Sequence, residues 1–137
     1  MNFRVLDLSG DVGLEAFGAS REEAFGNAAL GMYALITDLS AITERQDLEV
    51  RAEGDSPEGL LVNYLNELIF HFDTYGFIGK RVDIAELSDT AIRATVHGEE
   101  FDADRHERRL LIKAATYHRI KVAESDGRWE VAVIFDI

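Results

Sequence analysis

The segment SPEGLLVNYLNELIFHFDTYG, residues 56–76, decides the fold, because it predicts a helix with a clear start, one apolar side and a clear end. Ser56 followed by Pro57 marks the start, since proline at the first helical position gives up no intrahelical hydrogen bond. Gly76 suits the end, where helices often finish on a left-handed residue. The apolar side chains recur at helical spacing: Leu61, Tyr64, Leu65, Leu68, Ile69 and Phe72. We therefore expect this helix to pack against a second layer of structure.

A second helix is predicted nearer the start of the chain. Ser20 and Glu23 form a capping box, and apolar residues follow at helical spacing in Phe25, Ala28, Ala29, Met32, Tyr33 and Ile36. This helix is expected to end near Asp38. Gly26 and Gly31 each cost it about 1 kcal/mol relative to alanine, so either the packing is close there or tertiary contacts hold the helix.

Alternation of apolar and polar residues predicts strands in most of the remaining chain. The alternating runs are residues 2–7, 12–18, 47–54, 80–87, 91–98, 109–118, 120–125 and 128–137. A turn with unusual dihedral angles is expected at Gly10 and Gly13, and a hairpin at Asp126–Gly127. The predicted fold class is α+β, with two helices packed on a mostly antiparallel sheet in a single compact domain, residues 1–137.

The composition limits the possible functions. With 137 residues, 47% of them hydrophobic, the chain can bury one sizeable core. The 26 acidic and 14 basic residues give a net charge of -12, which disfavours direct nucleic-acid binding and favours cations or basic proteins as partners, unless the charge serves only solubility. The absence of cysteine excludes disulfides, thiolate metal sites and cysteine nucleophiles. No signal peptide or membrane span is predicted, so we expect a soluble intracellular protein.

The last strand, WEVAVIFDI, residues 129–137, places Asp136 beside the terminal carboxylate of Ile137. Two carboxylates this close repel each other unless a cation neutralises them. Asp7 and Asp11 lie in LDLSGDVG, residues 6–13, at a strand end and in a turn. If the first and last strands are neighbours, Asp11, Asp136 and the Ile137 carboxylate could converge on calcium or magnesium, which prefer oxygen ligands. The alternatives are a solvated terminus and an aspartate that caps its own turn.

The remaining polar candidates form no complete catalytic site. Glu67 and His71, one helical turn apart, are typical of a surface pair, while Asn63, Asn66 and Glu67 form either the solvated face of the helix or a partner contact. Alternation places Lys113 and Tyr117 on one strand face and Thr116 and His118 on the other, so these four are not one acid–base cluster. Neither a phosphate-binding loop nor a nucleophile elbow is present.

Several motifs, in order along nearly the whole chain, resemble the archease family. They are DLSGDVG, residues 7–13; EEAFGNAALGMYALITDLS, residues 22–40; LVNYLNELIFHFDT, residues 61–74; GEEFDADRHE, residues 98–107; KAATYH, residues 113–118; and VIFDI, residues 133–137. The opening motif departs from the family pattern, with Leu8 where a histidine is usual, and with Ser9 and Gly10 in place of threonine and alanine. Asp7, Asp11 and Gly13 are retained.

The resemblance implies a protein cofactor and not an enzyme. Archeases assist RtcB-type RNA ligases in tRNA splicing, by promoting guanylylation of the ligase with GTP and multiple turnover, and by broadening the nucleotides it accepts. The resemblance further implies a calcium ion held by Asp11, Asp136 and Ile137, with the chain stopping where its carboxylate is a ligand. The positions expected to be accessory or to contact a partner are Asp7, Asn66, Glu67, His106, Lys113, Thr116, Tyr117 and His118. A general chaperone or modulator of nucleic-acid-processing proteins, and a metal-dependent hydrolase, are the competing interpretations, and the expected location is the cytoplasm.

Overall fold

Two antiparallel sheets enclose the two helices in the computed structural model, which describes residues 2–137. The first sheet has four strands in the order β1-β2-β7-β6, and the second has three in the order β3-β5-β4. The elements along the chain are β1 Phe3–Leu8, β2 Asp11–Gly18, α1 Arg21–Ile36, a 3-10 turn Leu39–Ala41, β3 Gln46–Glu53, α2 Pro57–Tyr75, β4 Phe77–Leu87, β5 Ala91–Glu100, β6 Ala114–Ser125 and β7 Arg128–Asp136.

The α+β class with antiparallel strands is confirmed, and the strands divide between two sheets. Helix α1 packs against β2 of the first sheet and β4 of the second, and α2 packs against β6 and β3. One apolar core therefore joins both sheets and both helices. None of the helices in residues 2–137 is long and apolar enough to cross a membrane.

Close packing explains one of the two glycines inside α1. A Cβ atom on Gly31 would lie 2.8 Å from Leu14 of β2, so the helix and the first sheet approach more closely than a side chain would allow. On the opposite side, Tyr33 packs so closely on β4 that a Cβ atom on Gly79 would lie 2.8 Å from its ring. Gly26 has nothing within 4 Å of such an atom, so close packing does not account for it.

Both predicted turns form hairpins. Ser9 and Gly10 connect β1 to β2, with Gly10 at a φ of 82°. Asp126 and Gly127, at φ angles of 54° and 75°, connect β6 to β7. The prediction of an unusual dihedral angle at Gly13 is wrong, because Gly13 lies inside β2, paired with β1 and β7, and is not among the positive-φ residues.

The predicted strand over residues 109–118 is wrong in its first half. Residues 101–113, called the strap below, contain neither helix nor strand and connect β5 in one sheet to β6 in the other. The N–H groups of Arg109 and Leu110 donate to the carbonyls of Ile36 and Leu35, at 2.9 and 3.0 Å. These two bonds give partners to carbonyl groups that the end of a helix leaves unpaired. The last turn of α1 has no basic side chain of its own.

Candidate functional site

Asp11 and Asp136 lie directly opposite each other at one end of the four-stranded sheet. The condition that the first and last strands are neighbours is not met, because β7 lies between β2 and β6 and not beside β1. The predicted approach of the two aspartates still occurs, because Asp11 is the first residue of β2 and pairs in register with Asp136, the last residue of β7. Directly opposed residues place their Cβ atoms about 4.5–5.5 Å apart on one face.

The two aspartates belong to a row of four residues across the sheet. Leu8 of β1 pairs with Asp11, and Ala114 of β6 pairs with Asp136, so all four side chains lie on the face away from the helices. The Asp136 carbonyl also accepts from the N–H of Lys113 at 2.8 Å. Leu8 therefore places an aliphatic side chain beside Asp11.

The oxygen donors of this pair suit a hard cation. Neither aspartate has an ion-pair partner among residues 2–137, so two opposed carboxylates lie side by side without a neutralising side chain. Ile137 follows Asp136 directly and is 40% exposed. No third histidine, cysteine, aspartate or glutamate side chain in residues 2–137 joins them in a possible metal-holding group. The two aspartates offer oxygen donors only, which are the ligands that calcium prefers and not those typical of zinc.

Asp7 lies apart from the pair. It is exposed and pairs with Val12, whose side chain faces the core, so Asp7 is on the opposite sheet face from Asp11. Strand alternation separates the two side chains although they are close in sequence.

Asn66 fixes the start of β6 from helix α2. Its side-chain amide accepts from the N–H of Ala115 at 2.8 Å and donates to the carbonyl of Ala115 at 3.2 Å. Thr116 donates its hydroxyl to the Ile134 carbonyl at 2.8 Å, within the same strand pair. Asn66 and Thr116 thus position β6, which borders the aspartate pair through Ala114. Glu67 instead forms the expected surface pair with His71, at 3.2 Å.

His106 is buried in the strap, 3% exposed, and contacts another buried polar residue, Glu99. The N–H of Asp102 donates to its Nδ1 at 2.8 Å, so a neutral ring carries its proton on Nε2. This nitrogen lies 3.3 Å from Glu99 Oε2, near enough for electrostatic attraction although the pair lacks hydrogen-bond geometry. His106 therefore holds the strap and is remote in sequence and sheet position from the aspartate pair.

Glu99 is a charged residue that the sequence interpretation missed, and it is 2% exposed. Burial by itself raises its pKa, but the N–H of Thr43, the Arg105 guanidinium and His106 outweigh that effect and lower the pKa to about 2. Thr43 N and Arg105 Nη2 each lie 2.5 Å from a Glu99 oxygen. Glu99 is therefore ionised in its buried position. In the sequence, Glu99 directly follows an alternating run and lies in the segment GEEFDADRHE, residues 98–107.

Tyr117 and His118 lie in a bulge of β6, so strand alternation does not assign their faces. Thr116 pairs with Ile134 and Lys121 with Ala132, which leaves four β6 residues opposite one residue of β7. The bulge, residues 117–120, exposes Tyr117, His118 and Arg119. Lys113, also exposed, precedes this strand and is separated from them by three paired residues.

Comparison with known proteins gives matches over nearly the whole chain. The model of the Archease protein family (MTH1598/TM1083) matches residues 3–137. The chain belongs to the archease family. The protein archease of Sulfolobus acidocaldarius is 32% identical over 136 residues, covering 98% of each chain. That of Aeropyrum pernix is 36% identical over 131 residues, covering 93% of this chain and 91% of its own.

Solved structures of the family share this fold. The solution structure of Methanobacterium thermoautotrophicum protein 1598 superposes with a TM-score of 0.84 at 34% identity, over 99% of both chains. A crystal structure from Thermotoga maritima, of an archease described as a possible chaperone, gives a TM-score of 0.65 at 20% identity, over 96% of this chain and 94% of its own. The second comparison supports the fold alone.

Proposed function

We propose that this archease-family protein activates an RtcB-type RNA ligase, by promoting guanylylation of the ligase with GTP and its multiple turnover, and by broadening the nucleotides that it accepts. Family membership over residues 3–137 supports the general role. The observation that carries the specific proposal is the in-register pair of Asp11 and Asp136, which forms a negatively charged end on a protein of net charge -12. An RNA-binding ligase presents basic surface that this end would fit.

The aspartate pair and the Ile137 carboxylate would hold a divalent cation, for which calcium is the proposed choice. When bound, this ion would supply positive charge close to the nucleotide phosphates of the docked ligase. The protein's own contribution is positional. Asn66 and Thr116 fix β6, β6 fixes β7, and the register of β7 with β2 keeps the two aspartates side by side. On this proposal the protein is a non-catalytic cofactor that works where the ligase does, in the cytoplasm.

The test is covalent labelling of the ligase with labelled GTP at substoichiometric amounts of this protein. Wild type is expected to accelerate labelling, whereas Asp11→Asn and a chain extended beyond Ile137 are expected to fail while remaining folded. Asp73→Asn is the control, because it removes one negative charge from an exposed position of α2 that forms no ion pair among residues 2–137. Absence of acceleration by wild type would refute the proposal, and full activity of both variants would limit the aspartate pair to a structural role.

A general chaperone is the second candidate, favoured by exposed apolar side chains. Large apolar residues more than a third exposed are Val5, Leu6, Phe70, Tyr75, Leu110, Leu111, Tyr117 and Ile137. A chaperone would suppress aggregation of unrelated unfolded proteins, and a dedicated activator would not. The hydrolase interpretation lacks support, since it needs a general base and no third carboxylate or histidine in residues 2–137 joins the aspartates in one group.

A further inference from the structure

The bulge of β6 combines an unfavourable backbone with exposed side chains. Three surplus residues are inserted between the paired positions Thr116 and Lys121, and Arg119 adopts a φ of 54°. A left-handed conformation is unfavourable for a residue with a Cβ atom and often marks a functional position. Bulges also redirect side chains near binding sites. The strand therefore departs from regular pairing where it presents Tyr117, His118 and Arg119.

No polar contact holds these three side chains, although the Tyr117 ring lies beside Gly59 in the first turn of α2. Among residues 2–137, Tyr117, His118 and Arg119 form no side-chain hydrogen bond and no ion pair, and all three are exposed, Tyr117 by 61%. Tyrosine and arginine are the residue types that contribute most often to the energetic centres of protein interfaces. The bulge thus presents an aromatic anchor and a free guanidinium to solvent.

The strand segment that contains the bulge is basic in sequence, whereas the surface cleft that Tyr117 lines also contains Glu53 and Asp55. Residues 113–121 contain Lys113, Arg119 and Lys121 and no carboxylate, although the whole chain carries -12. Lys121 is neutralised by Glu130 at 3.0 Å, so Arg119 is the free cation of the bulge itself. At about 3.3 Å per strand residue, the bulge begins roughly 10 Å along β6 from Ala114, which pairs with Asp136.

We propose that the bulge Tyr117–Ile120 is a docking contact for a carboxylate-bearing patch on the protein partner, with Arg119 pairing with the carboxylate and Tyr117 packing beside it. The identification of that partner as the ligase rests on the proposed function. The aspartate pair is negative and Arg119 is positive, so the two contacts fit a partner surface in one orientation only. In the reversed orientation each contact would meet a group of the same charge. RNA phosphates are the less suitable occupant, since the net charge of -12 repels a polyanion.

The proposal is tested by titrating fluorescently labelled protein with the ligase and by measuring guanylylation in the same samples. Arg119→Gly removes the cation and fits a positive φ, so it should weaken ligase binding about tenfold without lowering the melting temperature. Arg119→Glu should weaken binding further, and Arg119→Lys should retain part of it. Arg51→Gln is the control, because Arg51 is exposed on the outer face of the three-stranded sheet and, among residues 2–137, forms an ion pair with Glu49 alone.

The outcomes separate this inference from the proposed function. If wild type binds the ligase but does not stimulate guanylylation, the activator proposal fails, and the affinity of Arg119→Gly still tests the bulge. Unchanged affinity of Arg119→Gly and Arg119→Glu would overturn the docking contact while leaving activation intact. No binding of wild type to the ligase would overturn both. A parallel titration with single-stranded RNA should show no binding, and RNA binding that Arg119→Gly abolishes would replace the protein partner with a nucleic acid.

Discussion

A single buried carboxylate, Glu99, should make part of the stability of the fold pH-dependent. Its pKa is lowered to about 2 by the N–H of Thr43, Arg105 and His106 acting against burial. The resulting stabilisation is complete above the pKa of the unfolded chain, about 4.5, and is lost as the pH falls through 4.5 towards 2. Glu99→Gln should therefore lower the free energy of unfolding by about 2–3 kcal/mol at pH 7, with the difference from wild type shrinking below pH 4.5. Chemical denaturation at several pH values measures this difference.

Glu100→Gln provides the matched control for that measurement. Glu100 is the next residue, is exposed and has no ion pair among the residues that the structure describes. Its substitution should change the free energy of unfolding by less than about 0.5 kcal/mol at any pH. A pH-independent loss in Glu99→Gln would show that the carboxylate acts through packing and not through its charge.

At the level of elements, the side chain of Asn66 replaces a neighbouring strand at the edge of β6. It pairs with both the N–H and the carbonyl of Ala115. Asn66→Ala would leave these two partly buried groups without protein partners and should cost about 1–3 kcal/mol. Amide exchange at Ala115 should also become faster. In Asn63→Ala, one turn earlier on α2, only a single bond to the Glu53 carbonyl is lost from an exposed side chain, so the cost should stay below about 1 kcal/mol. Equal costs in the two variants would contradict a special role for Asn66.

At the scale of the whole molecule, the net charge of -12 and the aspartate pair should respond differently to ions. Sodium chloride should raise the melting temperature gradually, because it screens the repulsion of the whole surface. Calcium at matched ionic strength should raise it further, since a ligand at a hundred times its Kd adds about 2.7 kcal/mol to the stability of the folded state. Asp11→Asn and Asp136→Asn should lose only the calcium-specific increment. An increment that persists in both variants would place the cation elsewhere.

Local signals made the helices predictable, whereas the pairing of distant strands was not. Ser56, Pro57 and Gly76 act within a few residues of one another, and the observed α2 follows them: Ser56 accepts from the N–H of Gly59, and Gly76 ends the helix at a φ of 72°. Alternation shows which residues of a strand share a face, but not which strand lies beside it. The division into two sheets and the pairing of β2 with β7 therefore appear only in the structure.

The sequence indicates the two aspartates of the candidate site, but not the strand pairing that brings them together. Asp136 is recognisable because an acidic residue at the end of an apolar strand is unusual, and Asp11 because it lies in a turn bordered by glycines. Their convergence depends on a pairing between distant parts of the chain. The sequence predicts a strand in the second half of the strap because it contains apolar residues. Ile112 is indeed buried in the core, but this segment pairs with no strand. The bulge left one trace in the sequence: the two predicted strand runs stop and restart at residue 119, where the φ is positive.

The pairing of β2 with β7 also has a consequence for biosynthesis. About 110 residues separate the end of β2 from the start of β7, so β2 leaves the ribosome long before its partner exists. At a synthesis rate of about 5–20 residues per second, the edge of β2 that later pairs with β7 stays unpaired for on the order of ten seconds. The three-stranded sheet, whose strands and intervening helix are contiguous in the chain, can form during that interval. The two opposed aspartates are thus among the last parts of the nascent protein to meet, and a chain stalled before β7 carries Asp11 without its counterpart.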